Sequence, residues 1–132
     1  MANGILPFDK SVVETSLSAR FETIAAALPD KAAFVGDSHV LTYEALNREA
    51  NRLAHDLVSS AGERDEPVAL YLDQGPALVT AIMGTLKAGK CYVPLDPENP
   101  IHRSRRLIEG ANCRIIVTDT AHRQRAGELN GG

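Results

Sequence analysis

The residues able to do acid–base or nucleophilic chemistry are few and scattered. The four histidines are His39, His55, His102 and His122. None has a second histidine four residues away or a cysteine close by, the spacings that bring metal ligands together. Surface or hairpin roles are expected for them. Cys91 and Cys113 lie 22 positions apart, outside any CxxC pair and beside β-branched runs. That pattern predicts two buried, inert thiols and suits a reducing compartment. Asp73, Asp96 and Glu98 follow apolar runs. They would stand at the C-terminal ends of strands, where open α/β sheets place their sites. No nucleophile and base come together beside them. Asp96-Pro97 reads better as a turn whose carboxylate bonds nearby backbone.

Phosphate chemistry asks for a glycine loop. Gly84, Gly89 and Gly110 form neither GxGxxG nor GxxxxGK[ST]. Gly75-Pro76 follows a strand and opens a helix, a place where an anion can bind. One glycine supports a turn better than a phosphate site. Six arginines, Arg103, Arg105, Arg106, Arg114, Arg123 and Arg125, sit in residues 101–132 against three acids. Residues 1–100 hold eight Lys/Arg against fourteen Asp/Glu. The basic segment has no aromatic residue for base stacking, so a solvated helix face and charged tail are expected rather than nucleic acid binding.

These groups need a frame. A chain of 132 residues with net charge −3, 44% hydrophobic and 23% charged residues, has ordinary globular composition. It is long enough for one core and too short for two domains. Residues 1–15 read as an extended arm. Leu17, Phe21, Ile24, Ala25 and Leu28 fall at helical spacing, with Ser16 or Ser18 as cap and Pro29 as stop. Two short β runs, Ala32–Val35 and 39–41, flank Gly36-Asp37-Ser38 and predict a hairpin. Thr42 then caps a long helix carrying Leu46, Ala50, Leu53, Ala54 and Leu57 on one stripe, with Gly62 as a left-handed cap.

Residues 67–72 form an apolar run that suits a parallel strand covered on both faces. Pro76 starts a helix that is apolar nearly all round, and Gly89 closes it. Cys91–Leu95 is a second strand, ended by Pro94 and Pro97. Asn99 and Pro100 start a helix over 101–109 that Gly110 caps, and 114–117 is a third strand. Residues 119–132 read as a helical turn or frayed tail. The fold class is therefore α/β. An N-terminal helix and β-hairpin precede two βαβ units, which form a small parallel three-stranded sheet with helices on its faces. No stretch is long and apolar enough to span a bilayer, and no signal peptide is visible, so a cytoplasmic location is expected.

Two segments say more. One is Leu41-Thr42-Tyr43-Glu44-Ala45-Leu46-Asn47, continuing to Ala54. The other is Leu86-Lys87-Ala88-Gly89-Lys90-Cys91-Tyr92-Val93-Pro94-Leu95-Asp96-Pro97. Together they resemble the first two core motifs of the adenylation domains of nonribosomal peptide synthetases, within the adenylate-forming superfamily. The resemblance covers residues 16–118, which it marks as the N-terminal subdomain of such a domain. The sequence departs from the motifs at Ala45, at Lys90-Cys91 and at Asn99. Complete members of the family carry a Ser/Thr/Gly-rich phosphate loop with a Lys. They also carry adenine, ribose and Mg²⁺ motifs, a substrate pocket with an amino-acid-binding Asp, and a C-terminal domain with a catalytic Lys.

None of these occurs in the 132 residues. The resemblance thus implies ATP and Mg²⁺ for a complete enzyme and no cofactor in this chain alone. It assigns no catalytic, cofactor-binding or metal residue. The motif residues Leu41, Thr42, Tyr43, Leu46, Leu86, Lys87, Ala88, Gly89, Tyr92, Val93, Pro94, Leu95, Asp96 and Pro97 are expected to be architectural. One expectation is a truncated or split part of an AMP-forming ligase, inactive alone. Another is a non-catalytic module that binds a protein partner or a second copy through exposed apolar surface, chiefly on the helix after Pro76. A third, weaker one is an unrelated small α/β ligand-binding domain.

Overall fold

Four consecutive residues of one strand, Val68, Ala69, Leu70 and Tyr71, have no solvent exposure, and the other described elements are arranged around them. The computed structural model describes residues 16–129. The expected arm over 1–15 lies outside the described residues. Helix α1 (Leu17–Ala27) leads into strands β1 (Ala32–Val35) and β2 (Val40–Thr42), then α2 (Tyr43–Ala61). Strand β3 (Pro67–Tyr71), α3 (Pro76–Lys87), β4 (Cys91–Leu95), α4 (Ile101–Ala111), β5 (Ile115–Thr118) and α5 (Arg123–Glu128) complete the order.

Strands β1 and β2 pair antiparallel as the predicted hairpin. Strands β4 and β5 both pair parallel to β3, giving the order β4-β3-β5. The first crossover therefore moves one way along the sheet and the second moves back across it. Crossovers of one hand taken in opposite directions put their helices on opposite faces. The core divides accordingly. Val68, Leu70 and Leu72 pack with Leu57, Ala81 and Ala88 of the α2–α3 layer. Ala69 and Tyr71 pack with Leu95, Ile108 and Leu129 on the other face. A strand covered on both faces needs a continuous apolar run, and that is what residues 67–72 supply.

Caps set the element boundaries. Ser16, not Ser18, caps α1, its hydroxyl accepting from Ala19 N at 3.1 Å. Thr42 Oγ1 accepts from Ala45 N at 3.2 Å and opens α2. Replacing Thr42 by Ala is expected to lower stability by about 1 kcal/mol, with Ser keeping most of it. Thermal melting of the three proteins checks this. An alanine variant that melts with the wild type would show that the cap contributes nothing.

Several expected details differ. Gly62 has positive φ (82°) but extended ψ (−170°), so it ends α2 without the left-handed helical turn. Pro94 lies inside β4 rather than ending it. An edge strand tolerates a missing N–H, and β4 is at the sheet edge. Pro100 itself occupies the N-cap of α4, and Asn99 makes no cap bond there. The helix runs through Gly110 to Ala111 and is capped by Asn112 in the left-handed region, φ 58° and ψ 45°. Cys91 is exposed and Cys113 half-buried, against the expected burial of both. Cys91 falls on an edge strand, where one side has no neighbour.

Residues 119–129 are ordered against the sheet, with Ala126 and Leu129 buried. Helix α3 packs against both α2 and the sheet, and none of its large apolar side chains is exposed. Among the described residues, the exposed large apolar ones are instead Leu17, Val35, Val40, Tyr92 and Leu107.

Candidate functional site

The two sequence motifs meet through a third residue. Tyr43, the first residue of α2, stacks at a tilt on Phe21 of α1 with ring centroids 6.1 Å apart. Lys87, the last residue of α3, holds its ammonium 5.5 Å from the same Phe21 ring and pairs with Glu22 at 2.5 Å. Leu46 is buried, and Leu41 sits opposite Phe34 in the hairpin. Ala88 caps α3, and Gly89 takes φ 75° to turn the chain into β4. Val93 and Leu95 face the core, whereas Tyr92 and Pro94 are exposed. Asp96 accepts from Glu98 N at 2.9 Å, the turn expected of Asp96-Pro97. Leu86 is half-buried on α3. These positions form joints of a frame rather than a reacting constellation.

Lys90, one of the departures from the second motif, is buried. Its ammonium donates to Gly62 O at 3.0 Å and Arg64 O at 2.6 Å, and stands 3.9 Å from Glu66 Oε1. It ties the end of α2 to the start of β4.

The chemically richest region is at the C-terminal ends of the strands, as open α/β sheets dictate. A cleft of about 680 Å³ opens beyond β3 and β4. Asp73, Asp96, Glu98, Asn99 and Arg103 rim it over Leu72 and Leu78. Three carboxylates against one guanidinium give an acidic cleft, which does not attract a phosphate chain. The predicted trio Asp73, Asp96 and Glu98 is thus brought together, still without a nucleophile.

A second cluster lies where β3 and β5 end side by side. Their onward connections leave for opposite faces, which makes this the topological switch point of the sheet. Thr118 Oγ1 donates to Tyr71 O at 2.8 Å and ties the two strand ends. His122 spans the gap, with Nδ1 2.7 Å from Asp119 Oδ1 and Nε2 3.2 Å from Asp73 Oδ2. Its ring meets Tyr71 edge-on at 5.9 Å. The hydrogen bond to Asp119 raises the His122 pKa above its ordinary 6.5, and both carboxylate charges add to this against desolvation. The same bond lowers Asp119 below its ordinary 3.8. A histidine held at both nitrogens has no free lone pair for a substrate, so this is a tether rather than a general base.

Sequence reasoning missed this cluster. The available signal was Asp119 three residues before His122, just after a strand, but Asp73 enters only once β3 and β5 are neighbours. His39 bonds Ser38 in the exposed hairpin turn at 3.1 Å. Among the described residues, no three His, Cys, Asp or Glu side chains converge as a metal ion requires. No described helix is long and apolar enough to cross a membrane.

Comparison with known proteins places this frame. The family model for the AMP-binding enzyme matches residues 21–131. The N-(5-amino-5-carboxypentanoyl)-L-cysteinyl-D-valine synthase of Amycolatopsis lactamdurans is 40% identical over 113 residues, covering 85% of this chain and 3% of that protein. The nonribosomal peptide synthetase FmoA3, solved with α-methyl-L-serine-AMP bound, superposes with a TM-score of 0.80 at 32% identity over 84% of this chain and 13% of its own. The N-terminal subdomain of Klebsiella oxytoca NpsA shares the fold, with a TM-score of 0.73 at 23% identity over 80% of this chain and 28% of its own. The chain spans 1–5% of the length of the curated relatives it matches. It belongs to the AMP-binding enzyme family, as a stretch that matches the N-terminal part of the adenylation domains of nonribosomal peptide synthetases.

Proposed function

We propose that these 132 residues supply the N-terminal framework of an amino-acid-adenylating, AMP-forming ligase of nonribosomal peptide synthesis, and that they do not adenylate on their own. The observation that carries this reading is the strand-end cleft. Its rim is acidic, and among the described residues Arg103 is its one cation and no nucleophile joins the carboxylates. Such a rim repels the phosphate chain of ATP, so phosphate handling falls to parts of a ligase outside these residues. What this chain contributes is position: the Phe21–Tyr43–Lys87 joint fixes α1 and α2 against α3. The partner implied is protein, the remainder of such a ligase. Tyr92 and Leu107, 38% and 45% exposed, offer apolar surface for it.

The test is pyrophosphate–ATP exchange by the purified chain, given Mg²⁺ and the proteinogenic amino acids. Label incorporation at the level of the protein-free blank is expected. Incorporation that scales with the amount of chain would overturn the proposal.

A further inference from the structure

We propose that residues 122–129 form a strap over Tyr71 whose closure is tightened by protonation of His122. Helix α5 spans six residues, far too few to be stable without tertiary support. Its hold on the sheet has three parts: burial of Ala126 and Leu129, a bond from Arg105 Nε to Glu128 O at 2.9 Å, and the bridge of His122 to Asp73 and Asp119. Beneath it lies Tyr71, the largest fully buried side chain, whose hydroxyl has no hydrogen-bond partner among the described residues. Opening the strap lets water reach that hydroxyl, which offsets part of the apolar burial lost. The balance between closed and open is therefore fine enough for one titrating group to move it.

The groups facing His122 are Asp119, Asp73, the Tyr71 ring and, with opposite effect, Arg125. Both carboxylates favour the imidazolium, so the folded pKa lies above the ordinary 6.5. The bridge is at full strength below 6.5 and is lost as pH rises through the folded value. Asp119 sets the other limit. Its pKa is depressed by the bond from His122, so its contribution stands above 3.8 and fails as pH falls through the folded value. The strap is tightest between these limits and loosens as pH rises through the folded value of His122. This inference does not depend on the proposed ligase role.

Hydrogen-exchange mass spectrometry of the whole chain at pH 6 and pH 9, corrected for intrinsic exchange, tests it. Protection across 122–129 is expected to fall about two- to fivefold at pH 9 relative to β3, the range that ion pairs near a surface support. His122→Gln removes the titration and is expected to show equal, lowered protection at both pH values. Asp73→Asn changes an exposed carboxylate and leaves the core intact, and it is expected to halve the pH effect or more. Equal protection in the wild type at both pH values overturns the proposal. So does a pH effect of wild-type size in either variant.

Discussion

Gly84→Ala lowers the urea midpoint of this protein, a loss of about 1–3 kcal/mol for overpacking a tight contact. In an ordinary helix interior the same change gains about 1 kcal/mol. The sign reverses here because α3 crosses α2 at Gly84. A Cβ added there would sit 2.9 Å from both Cβ and Cδ2 of Leu53 and 3.0 Å from the carbonyl oxygen of Ala50. Two of those atoms, the Leu53 Cβ and the backbone oxygen, cannot swing away. Helix α2 must move, and with it the packing of Leu53 and Leu57 on the sheet. Gly110 in α4 is the matched control, since nothing lies within 4 Å of its added Cβ. Gly110→Ala should raise the midpoint by the usual propensity gain. If both variants shift the same way, the close approach of the two helices is not what Gly84 serves.

Lys90→Met carries the second large effect. Methionine matches the stem of lysine but not its ammonium. The carbonyls of Gly62 and Arg64, both on exposed residues, then lose their charged donor, and the ion pair to Glu66 is lost with it. Hydrogen bonds from a charged group contribute about 1.5–3 kcal/mol, and water can replace part of that at carbonyls of exposed residues, so the loss is about 1–3 kcal/mol. Urea denaturation followed by far-ultraviolet circular dichroism measures it, with an unchanged slope showing that the unfolded state is the same. Lys90→Arg should also fail, because a planar guanidinium does not fit a pocket shaped for one ammonium. A Lys90→Met midpoint equal to that of the wild type would show that the carbonyls find other donors.

Much of this fold can be read from local pattern, and the exceptions share a cause. The run at 67–72, the Thr42 cap and Pro76 at a helix start each express a preference within a few residues. Their elements appear where expected. Pro94 was misread because a strand interior and a strand edge differ only in what lies beside them. The burial of Lys90 depends on carbonyls 26 and 28 positions earlier in the chain. The approach of His122 to Asp73 joins residues 49 positions apart and requires the sheet order β4-β3-β5. No periodicity encodes that order. The family resemblance supplied what local pattern lacks, since its two motifs imply the whole arrangement. It was silent on His122, which lies beyond both motifs.

Pro94 also has a consequence for how this chain meets copies of itself. A five-residue strand rich in apolar side chains, open along one side, is a template on which other chains grow into fibrils. Proline cannot donate to a new neighbour, and its ring obstructs an incoming backbone. Growth at that side therefore stalls after a residue or two. The same residue that marks the motif keeps this sheet edge from seeding aggregation of the chain.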